Sequence, residues 1–187
     1  MSVVPRFTSS DLEALPDIDN VRYEIIDGEL FVSRKPHWQH QYACGEVAAC
    51  LREANRRTGR GTVIFAPGVI FAADDVSPDV VWISRERLAT GADDAGHLHV
   101  APELVVEVLS RGAANERRDR DLKLKLYSRQ GVREYWIVDW RRRTVQVYRR
   151  ADAALHLVAT LEGEDVLTTP QLPGFTCPIA ELWAPTL

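Results

Sequence analysis

Two stretches of this sequence, Asp79–Ile83 and Glu103–Leu109, run through apolar, mostly β-branched residues without the alternation of a half-exposed strand. Strands of that kind are covered on both faces, so the chain must place layers above and below a sheet. Each stretch nonetheless carries a carboxylate. Asp79 opens the first, directly after Pro78, and Glu107 interrupts the run from Leu104 to Leu109. A carboxylate taken into a core needs a cation or a set of donors. Asp79 alone fits a Pro-Asp turn, whereas Glu107 lies inside a strand. Together they suit a shared divalent cation such as Mg²⁺ or Mn²⁺, which prefers oxygen ligands. Salt bridges to some of the chain's arginines are the other reading.

The remaining segments supply the layers. Ser10-Asp-Leu-Glu13 has capping-box spacing and predicts a short helix over 11–15, ended by Pro16. Tyr23–Ile26 and Glu29–Ser33 flank Asp27-Gly28, a strong hairpin signal. From about Trp38 to Arg57, Ala43, Val47, Leu51 and Ala54 recur at helical spacing, while Arg52, Glu53, Arg56 and Arg57 fall on the solvated side; Gly59 and Gly61 end the helix. Val63–Ala72 reads as two strand pieces bent at Pro67-Gly68, and 84–100 as a short helix and a loop. Asn115–Arg129 reads as one helix stopped by Gly131, with Leu122 and Leu126 inward. Strands follow at Glu134–Asp139 and Thr144–Tyr148, joined by a basic turn. One or two more strands and a short segment at Ile179–Trp183 close the chain. The order implies an α/β or α+β domain with a central mixed sheet flanked by helices. With 187 residues and neither repeat nor linker, one domain over 1–187 is expected.

Composition narrows the function. The net charge of -4 argues against binding nucleic acid through overall positive charge, although arginines cluster at 117–120, 141–143 and 149–150. Three cysteines, Cys44, Cys50 and Cys177, form no CxxC pair and their odd number fits no disulfide framework. Residues 1–20 lack a basic start followed by an apolar core, and no apolar run approaches the ~20 residues of a membrane span. A cytoplasmic protein without membrane contact is expected. No GxSxG, HExxH or paired-cysteine spacing points to a serine hydrolase or a zinc site.

Beyond these two carboxylates, Lys123, Glu24 and His40 are candidates. Asp119, Lys123 and Tyr127 lie four apart on one helix face, just after the strand of Glu107. On spacing alone Asp119 and Lys123 read as a surface ion pair worth ~0.3–0.5 kcal/mol; a lysine near the core boundary could instead hold an attacking water or stabilise phosphoryl charge. Glu24, in an apolar strand, and His40, near the start of the long helix, are weaker candidates for the same cleft.

These residues resemble a known family. Pro78-Asp79 followed by Glu107-Val108-Leu109 looks like the PD-(D/E)XK nuclease superfamily with its lysine displaced. The fuller resemblance is to the bacterial Uma-type putative endonucleases, over about Leu12 to Leu182. It rests on Tyr23-Glu-Ile-Ile-Asp-Gly-Glu-Leu30, His40, Ser77-Pro78-Asp79, Pro102-Glu-Leu-Val-Val-Glu-Val-Leu-Ser110, Asp119, Lys123, Tyr127, Gly131-Val-Arg-Glu-Tyr-Trp-Ile-Val-Asp139 and Pro173-Gly-Phe175. The resemblance implies a restriction endonuclease-like fold. Asp79, Glu107 and the backbone carbonyl of Val108 would hold Mg²⁺, and a lysine would orient the attacking water. The superfamily places that lysine two residues after the glutamate, where this chain has Leu109; the Uma-type branch implies Lys123 instead. Relatives carry a Ser/Thr-rich turn where this chain has Ser110-Arg-Gly-Ala-Ala114.

The expected activity is Mg²⁺-dependent hydrolysis of phosphodiester bonds in DNA. Asp79, Glu107 and Lys123 would be central, Glu24 and His40 would assist, and arginines near 117–120 would touch the DNA backbone. The alternative is a nuclease fold that has lost hydrolysis and binds nucleic acid or a protein. A homodimer is expected by default, with Trp136, Trp140 and Trp183 either at its face or in the core.

Overall fold

The computed structural model describes all residues except 1–5, 17, 20 and 186–187; residues 1–5, read above for a leader, lie outside the described residues. A short helix, α1 (Ser9–Glu13), precedes a hairpin of β1 (Val21–Ile26) and β2 (Glu29–Arg34). The capping box of α1 sits two residues earlier than its sequence spacing suggested. Thr8 is the N-cap, and its N–H donates to Asp11 Oδ2 at 2.7 Å. At the hairpin turn Asp27 and Gly28 have φ of 52° and 77°, the pattern whose twist matches antiparallel strands. Gly28→Ala is expected to cost about 1 kcal/mol, read from the urea midpoint, because an added Cβ would take a left-handed φ and lie 3.1 Å from the Arg6 side chain.

The long helix α2 (Trp38–Thr58) buries Ala43, Val47, Leu51 and Ala54 and ends at Gly59 in the left-handed region. The two strand pieces at 63–72 are β3 (Gly61–Phe65) and β4 (Val69–Phe71). They belong to different sheets, separated where Ala66 takes φ 42°. A strand the sequence pattern did not reveal, β5 (Asp74–Val76), follows, then β6 (Val80–Ser84), α3 (Arg85–Gly91) and β7 (Leu104–Val108). The expected helix at 115–129 is interrupted: α4 (Ala113–Arg117) passes through a π-helical turn, Arg118–Leu122, into α5 (Lys123–Gln130). Then come β8 (Glu134–Asp139), β9 (Thr144–Ala151), β10 (Ala154–Leu161), β11 (Val166–Leu167), β12 (Cys177–Pro178) and a 3₁₀ turn at Ile179–Leu182.

The central sheet has strand order β10-β9-β8-β7-β6-β3 and is mixed, with β7 and β8 parallel and its other pairs antiparallel. A second sheet, β2-β1-β5-β4, carries the hairpin. Both faces of the middle strands are covered, as the unalternating runs required. Val80, Trp82, Leu104, Val106 and Val108 pack with α2 and the C-terminal segment on one face. Val81, Ile83, Val105 and Leu109 pack with Leu126, Tyr127 and Ile26 on the other. Trp136 is fully buried in the first of these layers beside Phe175, with ring centroids 5.7 Å apart, so it belongs to the core and offers no face to a partner. Among the described residues no helix is long and apolar enough to cross a membrane.

Candidate active site

The antiparallel register of β6 and β7 pairs Val80 with Val106 and Val81 with Val105. Continued by one residue, it sets Asp79 opposite Glu107. Side chains alternate along a strand, so Asp79 shares a face with Val81 and Ile83, and Glu107 shares one with Val105 and Leu109. Those four apolar residues all pack on the side of α5, and the two carboxylates therefore project to the same side of the sheet. The Val108 N–H donates to Asp79 Oδ2 at 2.9 Å and ties the strand ends together.

Lys123 completes the arrangement. Its ammonium lies 2.8 Å from Oε1 of both Glu24 and Glu107, and 3.9 Å from Asp119 Oδ1. The side chain is fully buried, so the surface-pair reading of Asp119 and Lys123 does not hold. The π turn contributes here, because its extra residue changes the phase of the helix and both Arg118 and Asp119 turn inward beside Lys123. Arg118 Nε donates to Asp119 Oδ1 at 2.9 Å, with another guanidinium nitrogen 3.6 Å from Glu24 Oε2. Glu24 reaches the cluster from β1 in the second sheet, where it also accepts the Ser77 N–H at 2.9 Å. Tyr127 donates its hydroxyl to Glu107 Oε1 at 2.8 Å. Among the described residues no donor reaches Glu107 Oε2. No buried side-chain polar atom there lacks a partner, so Oε2 opens to the cleft. His40 stands 3.3 Å from Asp79 Oδ2 through Nε2, and 3.5 Å from Cys44 Sγ through Nδ1.

Of the five side chains singled out by sequence, Glu24 and Glu107 both bond Lys123, and His40 pairs with Asp79, which the Val108 N–H ties to the strand of Glu107. Two members of the site were missed: Arg22, 3.4 Å from Asp79 Oδ1, and Arg118. An arginine in a β-rich hairpin carries no distinguishing pattern. Arg118 sat in a basic run that reads as solvated, and the run also misled. Arg118 is buried in the wall of the cleft, and Arg120 bonds Gln146 and lies 3.5 Å from Asp139. Only Arg117 of that cluster is exposed without a carboxylate within 4.0 Å among the described residues. Asp139 and Glu116 likewise engage Arg141 and Arg142.

The electrostatics are uneven. Burial pushes the Glu107 carboxyl up to about 8, reinforced by Asp79, Asp119 and Glu24 and opposed by Lys123. Burial would also raise Asp79, but the hydrogen bond and charge of His40, with Arg22 and Lys123, hold it down at about 2. Burial disfavours the Lys123 ammonium, yet Glu107, Glu24 and Asp119 outweigh it and hold the amine protonated. Four carboxyl groups thus face two buried cations, Lys123 and Arg118, with Arg22 at the rim. Asp79 and Glu107 adjoin a cleft of about 210 Å³ lined also by His40, Val108 and the cations Arg22, Arg34, Lys35 and Arg118.

That donor set fits an oxygen-preferring divalent cation: two adjacent carboxylates, one with an oxygen open to the cleft. In extended backbone the N–H and C=O of one residue point to the same strand edge. The Val108 carbonyl is therefore on the edge of Asp79, as a third oxygen. His40, Cys44 and Asp79 also bring ligand atoms within 4.8 Å of one another. Burial pushes the Cys44 thiol far up, however, and a protonated thiol is not a metal ligand.

The model of the family described as Uma2, putative restriction endonuclease, matches residues 9–180. The chain belongs to the Uma2 family. Among solved structures, a putative nuclease of the DUF820 group from Anabaena variabilis superposes with a TM-score of 0.74 at 17% sequence identity, covering 94% of this chain and 97% of that one. At that identity the likeness establishes the fold, which is restriction endonuclease-like, and the Uma2 match places the chain among nuclease-like proteins. None of the curated proteins matches the chain.

Proposed function

We propose that this Uma2 protein is a metal-dependent endonuclease that hydrolyses phosphodiester bonds in DNA. The observation that carries the reading is that Asp79, just before β6, and Glu107, on β7, line one cleft, with the buried Lys123 of α5 bonded to Glu107. Asp79, Glu107 and the Val108 carbonyl would hold Mg²⁺ or Mn²⁺. When bound, such an ion polarises the phosphate and lowers the pKa of a coordinated water.

The chain's own groups do the rest. Lys123, held protonated, orients the attacking water or offsets charge gathering on a phosphoryl oxygen. Glu24 and Tyr127 fix the amine and Glu107 relative to each other, Glu24 bonding the amine and Tyr127 the Glu107 carboxyl. His40 and the Val108 N–H hold Asp79 in its rotamer. Arg22, half exposed at the rim, neutralises the incoming backbone.

Plasmid nicking in Mg²⁺ or Mn²⁺ tests the reading. Asp79→Asn and Glu107→Gln are each expected to lower cleavage by about 10²–10³-fold, the loss typical of removing one preorganised charge-stabilising group. EDTA should abolish it in the wild type. Equal residual cleavage in all three proteins would assign it to a contaminant.

The second reading, a nuclease fold kept for binding nucleic acid or a protein, is favoured by one feature: Lys123 is fully shared between Glu24 and Glu107. Calorimetry separates the two. Mn²⁺ binding that Glu107→Gln removes supports the enzyme, and no Mn²⁺ binding in the wild type supports the binding module.

A further inference from the structure

Beside the cleft lies a feature that the carboxylate chemistry does not use. Three rings stand in a row where β2 runs into α2. His37 stacks on Trp140 with centroids 5.0 Å apart and planes 6° apart, and the Trp38 ring, tilted by 32°, lies 5.9 Å from His37. The Arg111 guanidinium sits 5.4 Å from the centre of the Trp140 ring. Two of the rings are held in place. His37 is the N-cap of α2 and accepts the Gln39 N–H through Nδ1 at 3.2 Å, and Trp140 Nε1 donates to the Leu109 carbonyl at 3.0 Å. Leu109 is two residues beyond Glu107, so the row is anchored to the strand that carries the site. Trp38 nonetheless remains 50% exposed, and an exposed indole at the edge of an ordered stack is an unused π-face.

The surroundings are cationic although the whole chain is acidic. Arg34, Lys35 and Arg111 are exposed, with no carboxylate of the described residues within 4.0 Å. The depression lined by His37, Arg111 and Trp140 is continuous with the carboxylate cleft, sharing Arg34, Lys35 and His40 as lining. His37 and His40 are three residues apart on the helix, a separation of about 5 Å along its axis, and His40 touches Asp79. A ligand seated on the rings would thus have its backbone at the carboxylates within about a nucleotide's length.

Resting on the nuclease reading, we propose that the row of Trp38, His37 and Trp140 is a stacking platform for an unpaired base, so that the substrate is a single-stranded stretch of nucleic acid. Bases inside a duplex already stack on each other and hide their faces, whereas an unpaired strand offers them. Arg34, Lys35 and Arg111 supply the phosphate contacts beside the rings, the combination of aromatic faces and positive groove that serves single strands.

Fluorescence anisotropy in EDTA, where no strand is cut, tests the platform. The probes are a labelled oligothymidylate on the order of ten nucleotides long, an abasic strand of equal length and a blunt duplex. The oligothymidylate is expected to bind about ten-fold more tightly than either of the others. Trp38→Ala should remove that advantage while leaving abasic binding unchanged, and Trp38→Phe should keep most of it. Arg111→Ala should weaken all three. Equal affinity for the thymidylate and abasic strands, or an unchanged thymidylate affinity in Trp38→Ala, would overturn the platform. The two readings fail separately. Plasmid cleavage with no base preference leaves the nuclease and removes the platform. A base preference in a protein that Mg²⁺ and Mn²⁺ do not activate keeps the platform and removes hydrolysis.

Discussion

Lys123→Met is expected to lower the stability of the protein by about 3–5 kcal/mol at neutral pH, the typical cost of removing one partner from a buried ion pair. The ammonium it deletes is fully buried and lies between Glu24 and Glu107, with Asp119 behind. Methionine fills similar space but leaves those carboxyl groups with Arg118 as their one buried cation among the described residues. Urea unfolding followed by circular dichroism reads the loss directly. A double variant with Glu107→Gln should recover at least about 1 kcal/mol of it, because contacting charges are not additive. A shift below about 0.5 kcal/mol in the single variant would return Lys123 to the status of a surface ion pair. Since the lysine carries both stability and proposed chemistry, a cleavage assay on this variant has meaning only under conditions where its circular dichroism matches the wild type.

Trp136→Ala is expected to cost about 3–5 kcal/mol, as for other large aromatic truncations in cores. Trp136 is fully buried between β8 and the C-terminal segment, against Phe175. Its indole donates to Glu134 Oε1 at 2.9 Å, and that buried carboxylate also accepts from Thr169 Oγ1 at 2.6 Å. Truncation therefore opens a cavity and takes a donor from a buried charge. Trp136→Phe separates these effects: it keeps much of the ring volume and should lose only about 1–3 kcal/mol. The midpoint should not depend on protein concentration. If the destabilisation instead faded as the protein was concentrated, the tryptophan would belong to an interface between copies and not to this core.

The two carboxylate strands were legible because burial on both faces leaves a mark in the sequence: long apolar runs with a single acid in each. The long helix and the hairpin were legible for similarly local reasons, helical spacing in one and two consecutive left-handed positions at Asp27-Gly28 in the other. Glu24 and His40 could be named only as candidates. Their partners are 53 residues from Ser77 to Glu24 and, for His40, on β6's approach at Asp79. Arg118 was misread for the opposite reason. Its local context is a basic run, and local context says nothing about a π turn that rolls the residue inward.

Residue chemistry and short-range periodicity by themselves determined that this chain has a two-sided mixed sheet with an aspartate and a glutamate in its core strands and a lysine on the helix that follows. Only the tertiary structure decided that Asp79 faces Glu107, that Lys123 lies between Glu107 and a carboxylate from a second sheet, and that Trp38 stands exposed beside a cationic cleft. Alternation and helical spacing act over a few residues and are written in the order of the chain. Strand register, the phase of an interrupted helix and the meeting of two sheets are set by packing between segments far apart, where no single stretch of sequence carries the answer.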